Sequence, residues 1–102
     1  MFYARIIETP ETGIMVSLVD EELLGIKVVD ESSGIIIDVS ESFYRGNKVD
    51  EKEAIELIKK ADVVIMTGER IISLAIDLGF VNPTSVLKVK GISHVQLFKF
   101  NY

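Results

Sequence analysis

Apolar and polar positions alternate or cluster along this chain in a way that lays out its elements. Residues 2–8 and 14–19 are rich in β-branched and aromatic side chains. Thr9-Pro10-Glu11-Thr12-Gly13 separates them with turn chemistry, so a hairpin is expected. Asp20-Glu21-Glu22-Leu23-Leu24-Gly25 reads as one helical turn, capped by Asp20 and stopped by Gly25. Ile26 to Val29 and Ile35 to Val39 are short extended runs either side of a turn over 30–34. Residues 40–49 are the least regular stretch, with Phe43 as the expected anchor of a surface loop. Asp50 with Glu53 three positions on is a capping-box variant, and Ala54, Ile55, Leu57, Ile58 and Ala61 give the following helix one apolar stripe. Val63 to Met66 is wholly apolar, as a strand covered on both faces should be. A second helix runs from Glu69 to Leu78 and ends at Gly79. Val86 to Lys90 and Ile92 to Phe100 are two further strands broken at Gly91.

The expected fold is therefore α/β of the mixed α+β kind, one domain over residues 1–102. Antiparallel strands stand at both ends. The centre, from Ile35 to Lys90, reads β-α-β-α-β, and right-handed crossovers would set its strands in a parallel core. Val63 to Met66 should be a central strand with both helices packed on the sheet.

Composition narrows the function classes. A 102-residue chain that is 48% hydrophobic can pack a core, so disorder is not its class. It has no cysteine, which excludes disulfides, cysteine metal sites and thiol chemistry and suits a reducing cytosol. The first residues lack a signal-peptide layout, and no apolar run can span a bilayer, so a cytoplasmic location with no membrane partner is expected. A single histidine gives a transition metal too few ligands, and nothing calls for a cofactor. Abundant Ile, Val, Lys and Glu beside one Gln and three Asn give a thermophile-like balance; a β-rich core produces the same bias. The net charge is −5, against wholesale nucleic-acid binding. Yet all acidic residues precede Leu78, and the remainder holds Lys88, Lys90, Lys99 and the histidine. That split can mark a local basic face, or chance in a short segment.

Two places can carry chemistry. Thr67-Gly68-Glu69-Arg70 joins a strand to a helix, where α/β proteins bind ligands. Thr67 can cap the helix, Gly68 admits close approach, and Arg70 suits phosphate or carboxylate, whereas Glu69 already answers the helix dipole. The plain alternative is a well-capped helix with solvated Glu and Arg. The second place holds His94 and Gln96, which share a strand face with Phe98 and Phe100; hydrogen bonds plus stacking there suit a nucleobase or small planar ligand. The plain alternative is aromatic core with His94 and Gln96 bonded to backbone. Lys88 and Lys90 should point to one face and can touch phosphates. Tyr44 and Arg45 beside Gly46 can line a pocket. No nucleophile–base signature is visible.

Leu23-Leu24-Gly25, Phe43-Tyr44-Arg45-Gly46, Gly68-Glu69 with Ala75 and Gly79, and Gly91-Ile92-Ser93-His94-Val95-Gln96 recur in that order in an archaeal family. By this ordered set the chain resembles the domain-of-unknown-function family numbered 424, from about Arg5 to Phe98. The family's histidine motif is closer to Gly-Val-Pro-His-Ala-Gln, so Ser93 and Val95 differ. Ile26 intervenes where a lysine often follows the glycine, and Ile65 replaces a frequent asparagine. The resemblance implies no reaction, substrate or cofactor; it hints at RNA binding.

Three readings follow. The first is a noncatalytic factor contacting RNA, or an RNA-linked partner, through the basic carboxyl-terminal strands. The second is a small enzyme or ligand binder with a pocket between Thr67–Arg70 and His94. The third is a homo-oligomer joined through the aromatic last strand. Exposure of Phe98, Phe100 and Tyr102 discriminates among them.

Overall fold

The computed structural model describes residues 1–11, 13–44 and 47–99. Strands β1 (Phe2–Thr9) and β2 (Gly13–Asp20) form the expected hairpin. A short 3-10 turn, Glu21–Leu23, leads to β3 (Lys27–Asp30) and β4 (Ile35–Asp38). After these come the one-turn helix α1 (Glu41–Tyr44), β5 (Lys48–Val49), α2 (Glu51–Lys60), β6 (Val63–Thr67), α3 (Glu69–Asp77), β7 (Leu87–Val89) and β8 (Ile92–Phe98).

Six strands form one mixed sheet in the order β5-β1-β2-β6-β8-β7, and β3 with β4 forms a separate antiparallel pair. β6 lies inside the large sheet, as its apolar run requires. The mixed sheet with antiparallel strands at both ends is present, but the segments of the β-α-β-α-β stretch do not share a parallel core. β4 sits in the small sheet, β6 runs parallel to β2, and β7 is an antiparallel edge strand beside β8. The physical reason is burial. β4 alternates half-buried, exposed and buried residues, so it can cover a surface with one face but cannot lie between two layers.

The two main helices share one face of the large sheet. Ala54 and Ile58 of α2 and Ile71, Ile72 and Ala75 of α3 pack with Phe2, Ala4, Val16, Leu18, Val64, Met66 and Val95. The capping box at Asp50 forms as expected: Glu53 N donates to Asp50 Oδ1 at 2.8 Å, and Asp50 N donates to Glu53 Oε1 at 3.2 Å. On the other face, Ile37, Val39 and Tyr44 close over Val19 and Val89. They roof one end of that face; farther along it Arg5, Ile7, Met15 and Ile65 are half-buried, Val63 is buried, and Gln96 and Phe98 are exposed. No helix among the described residues is long and apolar enough to cross a membrane.

Candidate functional site

The carboxyl ends of the parallel strands β2 and β6 meet at Asp20 and Thr67. Asp20 is only 3% exposed. Its carboxylate does not cap the adjacent 3-10 turn. It reaches across to the start of α3, where Oδ2 accepts Arg70 N and Oδ1 accepts Ile71 N, each at 2.9 Å. A carboxylate at a helix amino terminus satisfies two orphan donors and meets the positive end of the dipole. Gly68 is the residue before the helix, with φ of 119°, and a Cβ there would collide with the Asp20 side chain. The expected cap, Thr67, is turned elsewhere: its side chain is buried and its hydroxyl lies 3.0 Å from His94 Nδ1.

Arg70 is held by three groups. Its Nε donates to Glu22 Oε2 at 2.9 Å, and its Nη2 donates to Glu22 Oε1 at 2.6 Å and to the Met1 carbonyl at 3.0 Å. The guanidinium also lies 5.0 Å from the centre of the Phe2 ring. Hydrogen bonds from Arg70 hold the Glu22 carboxyl well below its ordinary value of 4.5, at about 2. Glu69 is paired as well, its Oε1 lying 2.7 Å from Lys88 Nζ. A cleft of about 320 Å³ opens here, lined by Asp20, Glu22, Gly68, Glu69, Arg70 and the segment 91–93. The two segments singled out in the sequence do converge on one cleft, but Thr67 and His94 stand behind its wall. Asp20 and Glu22 escaped notice because neighbouring residues made them look like helix-start acids; their partners lie 48 to 51 residues away.

His94 is 7% exposed. Its Nδ1 lies 3.0 Å from Thr67 Oγ1, and its Nε2 lies 3.4 Å from Gln96 Nε2. The Thr67 hydroxyl and the Gln96 amide thus engage the two ring nitrogens. Burial lowers the imidazole pKa, which keeps the ring neutral near pH 7. With both nitrogens engaged inside the protein, His94 positions strands. Lys90 is exposed and follows β7 in the turn, with φ of 49°. Tyr44 is buried, its hydroxyl 2.7 Å from Ser17 Oγ, while Phe43 is exposed. The anchor of that segment is therefore Tyr44, the reverse of the expected arrangement. Arg45, Phe100 and Tyr102 lie outside the described residues. Among those described, no three His, Asp or Glu side chains gather as a cation site.

The strand registers also build a surface. On the face away from α2 and α3, Arg5, Ser17, Ile65 and Gln96 form one cross-sheet row. Ile7, Met15, Val63 and Phe98 form the next. Phe43 of α1 lies under the Arg5 guanidinium, 4.1 Å from ring centre to carbon. Gln96 is exposed and Phe98 is 59% exposed. The chain has 16 acidic side chains, and none lies in either row.

Residues 7–100 match a family described as a protein of unknown function, DUF424. The chain belongs to that family. Its fold is similar to a crystal structure of an uncharacterized conserved protein from the archaeon Methanopyrus kandleri, with 24% identity and a TM-score of 0.73. That likeness covers 99% of this chain and 93% of the other, and it speaks for the fold. No curated protein matches this family member.

Proposed function

We propose that this chain is a noncatalytic binding protein that takes single-stranded RNA on the open face of its large sheet. One observation carries the reading: on an acidic protein, the cross-sheet rows from Arg5 to Gln96 and from Ile7 to Phe98 hold no carboxylate and present Phe98, Gln96 and the Arg5–Phe43 stack. Exposed aromatics on a sheet stack unpaired bases, an amide reads a base edge, and a guanidinium meets a phosphate. From Arg5 to Gln96 the row crosses three strand spacings, roughly 14 Å, which suits two or three bases.

The RNA reading thereby moves from Lys88, Lys90 and His94 to Arg5, Gln96 and Phe98. Lys88 is engaged by Glu69 and His94 is enclosed. The cleft at Gly68 supports a ligand less well. Asp20 answers the helix, Arg70 answers Glu22, and Glu69 answers Lys88, so its charges are already matched.

Fluorescence anisotropy with a labelled single-stranded RNA of mixed sequence tests the proposal. Phe98→Ala should weaken binding by about 1–3 kcal/mol, the value of one stacked base, and Arg5→Glu should also weaken it. Lys88→Glu/Lys90→Glu should leave affinity nearly unchanged. With few phosphate contacts, the log–log salt slope should be near −0.7 and no steeper than about −1.4. No binding by wild type at low salt, or loss only in the lysine variant, overturns the assignment.

A further inference from the structure

Alternation places His94, Gln96 and Phe98 on one face of β8. His94 is buried, and the other two are exposed. The Gln96 amide reaches solvent and still touches the enclosed residue beside it, with Nε2 at 3.4 Å from His94 Nε2. His94 is held in turn at Nδ1 by the buried Thr67 hydroxyl, 3.0 Å away. Thr67, His94 and Gln96 thus form a line from the interior of the sheet to its open face. In the two cross-sheet rows the polar side chains are Arg5, Ser17 and Gln96. The Ser17 hydroxyl is bonded to Tyr44, and the Arg5 guanidinium lies over Phe43. Gln96 is left as the group of these rows suited to read a base edge.

A glutamine amide carries donors on one side and an acceptor on the other. Left free at a surface, it turns over and offers either side, so it suits every base and selects none. A neutral imidazole has one N–H and one lone pair. Whichever nitrogen holds the proton, Gln96 must keep the matching side of its amide toward the ring. Turning the amide over would require the imidazole proton to change nitrogen and the Thr67 hydroxyl to reverse its role. We propose that His94 is a positioning residue that fixes the Gln96 amide, so that the open face takes a single-stranded RNA with one preferred base at one position. This rests on the RNA reading above. His94 itself does not touch the RNA. A base that meets the fixed amide with the wrong edge leaves polar groups unpaired, and that mismatch is the source of selection.

Anisotropy with short labelled homopolymers of A, C and U tests this. Wild type should bind one of them roughly fivefold tighter than the weakest, or better. Gln96→Ala should remove the preference. His94→Asn keeps a polar group near Nδ1, on the Thr67 side, but nothing as far out as Nε2, and it should also remove the preference. His94→Gln, whose amide reaches that far, should keep it. A purely structural histidine would give both variants the same base profile. A wild type that binds no RNA overturns this inference together with the reading it rests on. Equal binding of all three strands by wild type, or a preference that survives Gln96→Ala or His94→Asn, overturns this inference alone. If the His94 variants do not fold by circular dichroism, nitrogen-15 relaxation of the Gln96 side-chain amide in RNA-free wild type decides. An ordered amide supports the tether, and a freely rotating one overturns it.

Discussion

β2 and β6 run side by side, and each end of the pair is closed by an aspartate set against a glycine. At the amino ends, Asp62 Oδ2 accepts Ile14 N at 2.9 Å, and a Cβ on Gly13 would collide with that carboxylate. At the carboxyl ends, Asp20 accepts two amides of α3, and a Cβ on Gly68 would collide with it. The devices look alike, but their surroundings differ. Asp62 is half-buried and holds one strand amide through one oxygen. Asp20 is buried, uses both oxygens and faces a helix dipole. The carboxyl end should therefore be the costlier one to disturb.

The glycines give the largest contrast. Gly68 has φ of 119° and ψ of 150°, a region essentially reserved for glycine, and the obstructing atoms belong to the body of a buried side chain. Gly68→Ala should cost about 3 kcal/mol or more, from backbone strain together with the displaced cap. Gly13 has φ of 73°, and its obstacle is the tip of a side chain that can swing aside. Gly13→Ala should cost about 1 kcal/mol. Denaturant midpoints of the two variants check this; equal losses would mean that the two ends are equivalent.

Exchanging the carboxylates for amides gives a smaller contrast. Asn at position 62 can turn its oxygen to Ile14 N, so Asp62→Asn should cost about 0.5 kcal/mol. Asn at position 20 has one acceptor for two buried amides. Asp20→Asn leaves one amide facing an NH2 group and should cost about 2 kcal/mol. Thermal melting of both variants near neutral pH measures the difference, and hydrogen exchange at Arg70 and Ile71 should speed up only in Asp20→Asn.

The same residues show what could be read from the sequence. Features that depend on neighbours were legible: the β1–β2 hairpin, the Asp50–Glu53 box, the apolar β6 and the stop at Gly79. The Asp20 cap was not, because the rule that finds caps looks a few residues ahead, and α3 lies 50 residues on. The failure of the parallel core has a similar origin, since apolar runs mark strands but do not say which strand lies beside which. Tyr44 and Phe43 exchanged roles because a single helical turn carries no periodicity to show which side meets the sheet. In the candidate site, the share of Gln96 and Phe98 in one face followed from alternation. Arg5 joined them only once the registers of β1, β2, β6 and β8 were known.

The smallest effect separates the two ends by charge. Outside the Asp20 cap, the carboxyl end carries the Glu22–Arg70 pair, whereas near Asp62 the Lys99 ammonium donates to the Ile58 carbonyl. Arg70 lowers the folded-state pKa of Glu22 from 4.5 to about 2. A depressed carboxylate pKa stabilises the fold above the unfolded-state value, and that contribution is lost as pH falls from 4.5 through about 2. Both side chains are well exposed, at 43% and 56%, so water and salt screen the pair to about 0.5 kcal/mol. Glu22→Gln should therefore lower stability by about that much near neutral pH and by less in high salt. The gap between variant and wild type should close as the pH drops through this window. Asp62→Asn serves as the comparison, because it removes a carboxylate at the other end of the strand pair and leaves the Glu22–Arg70 pair intact. A Glu22→Gln gap that stays constant down to pH 2, in urea titrations at a series of pH values, would show that Glu22 acts through packing and not through its charge.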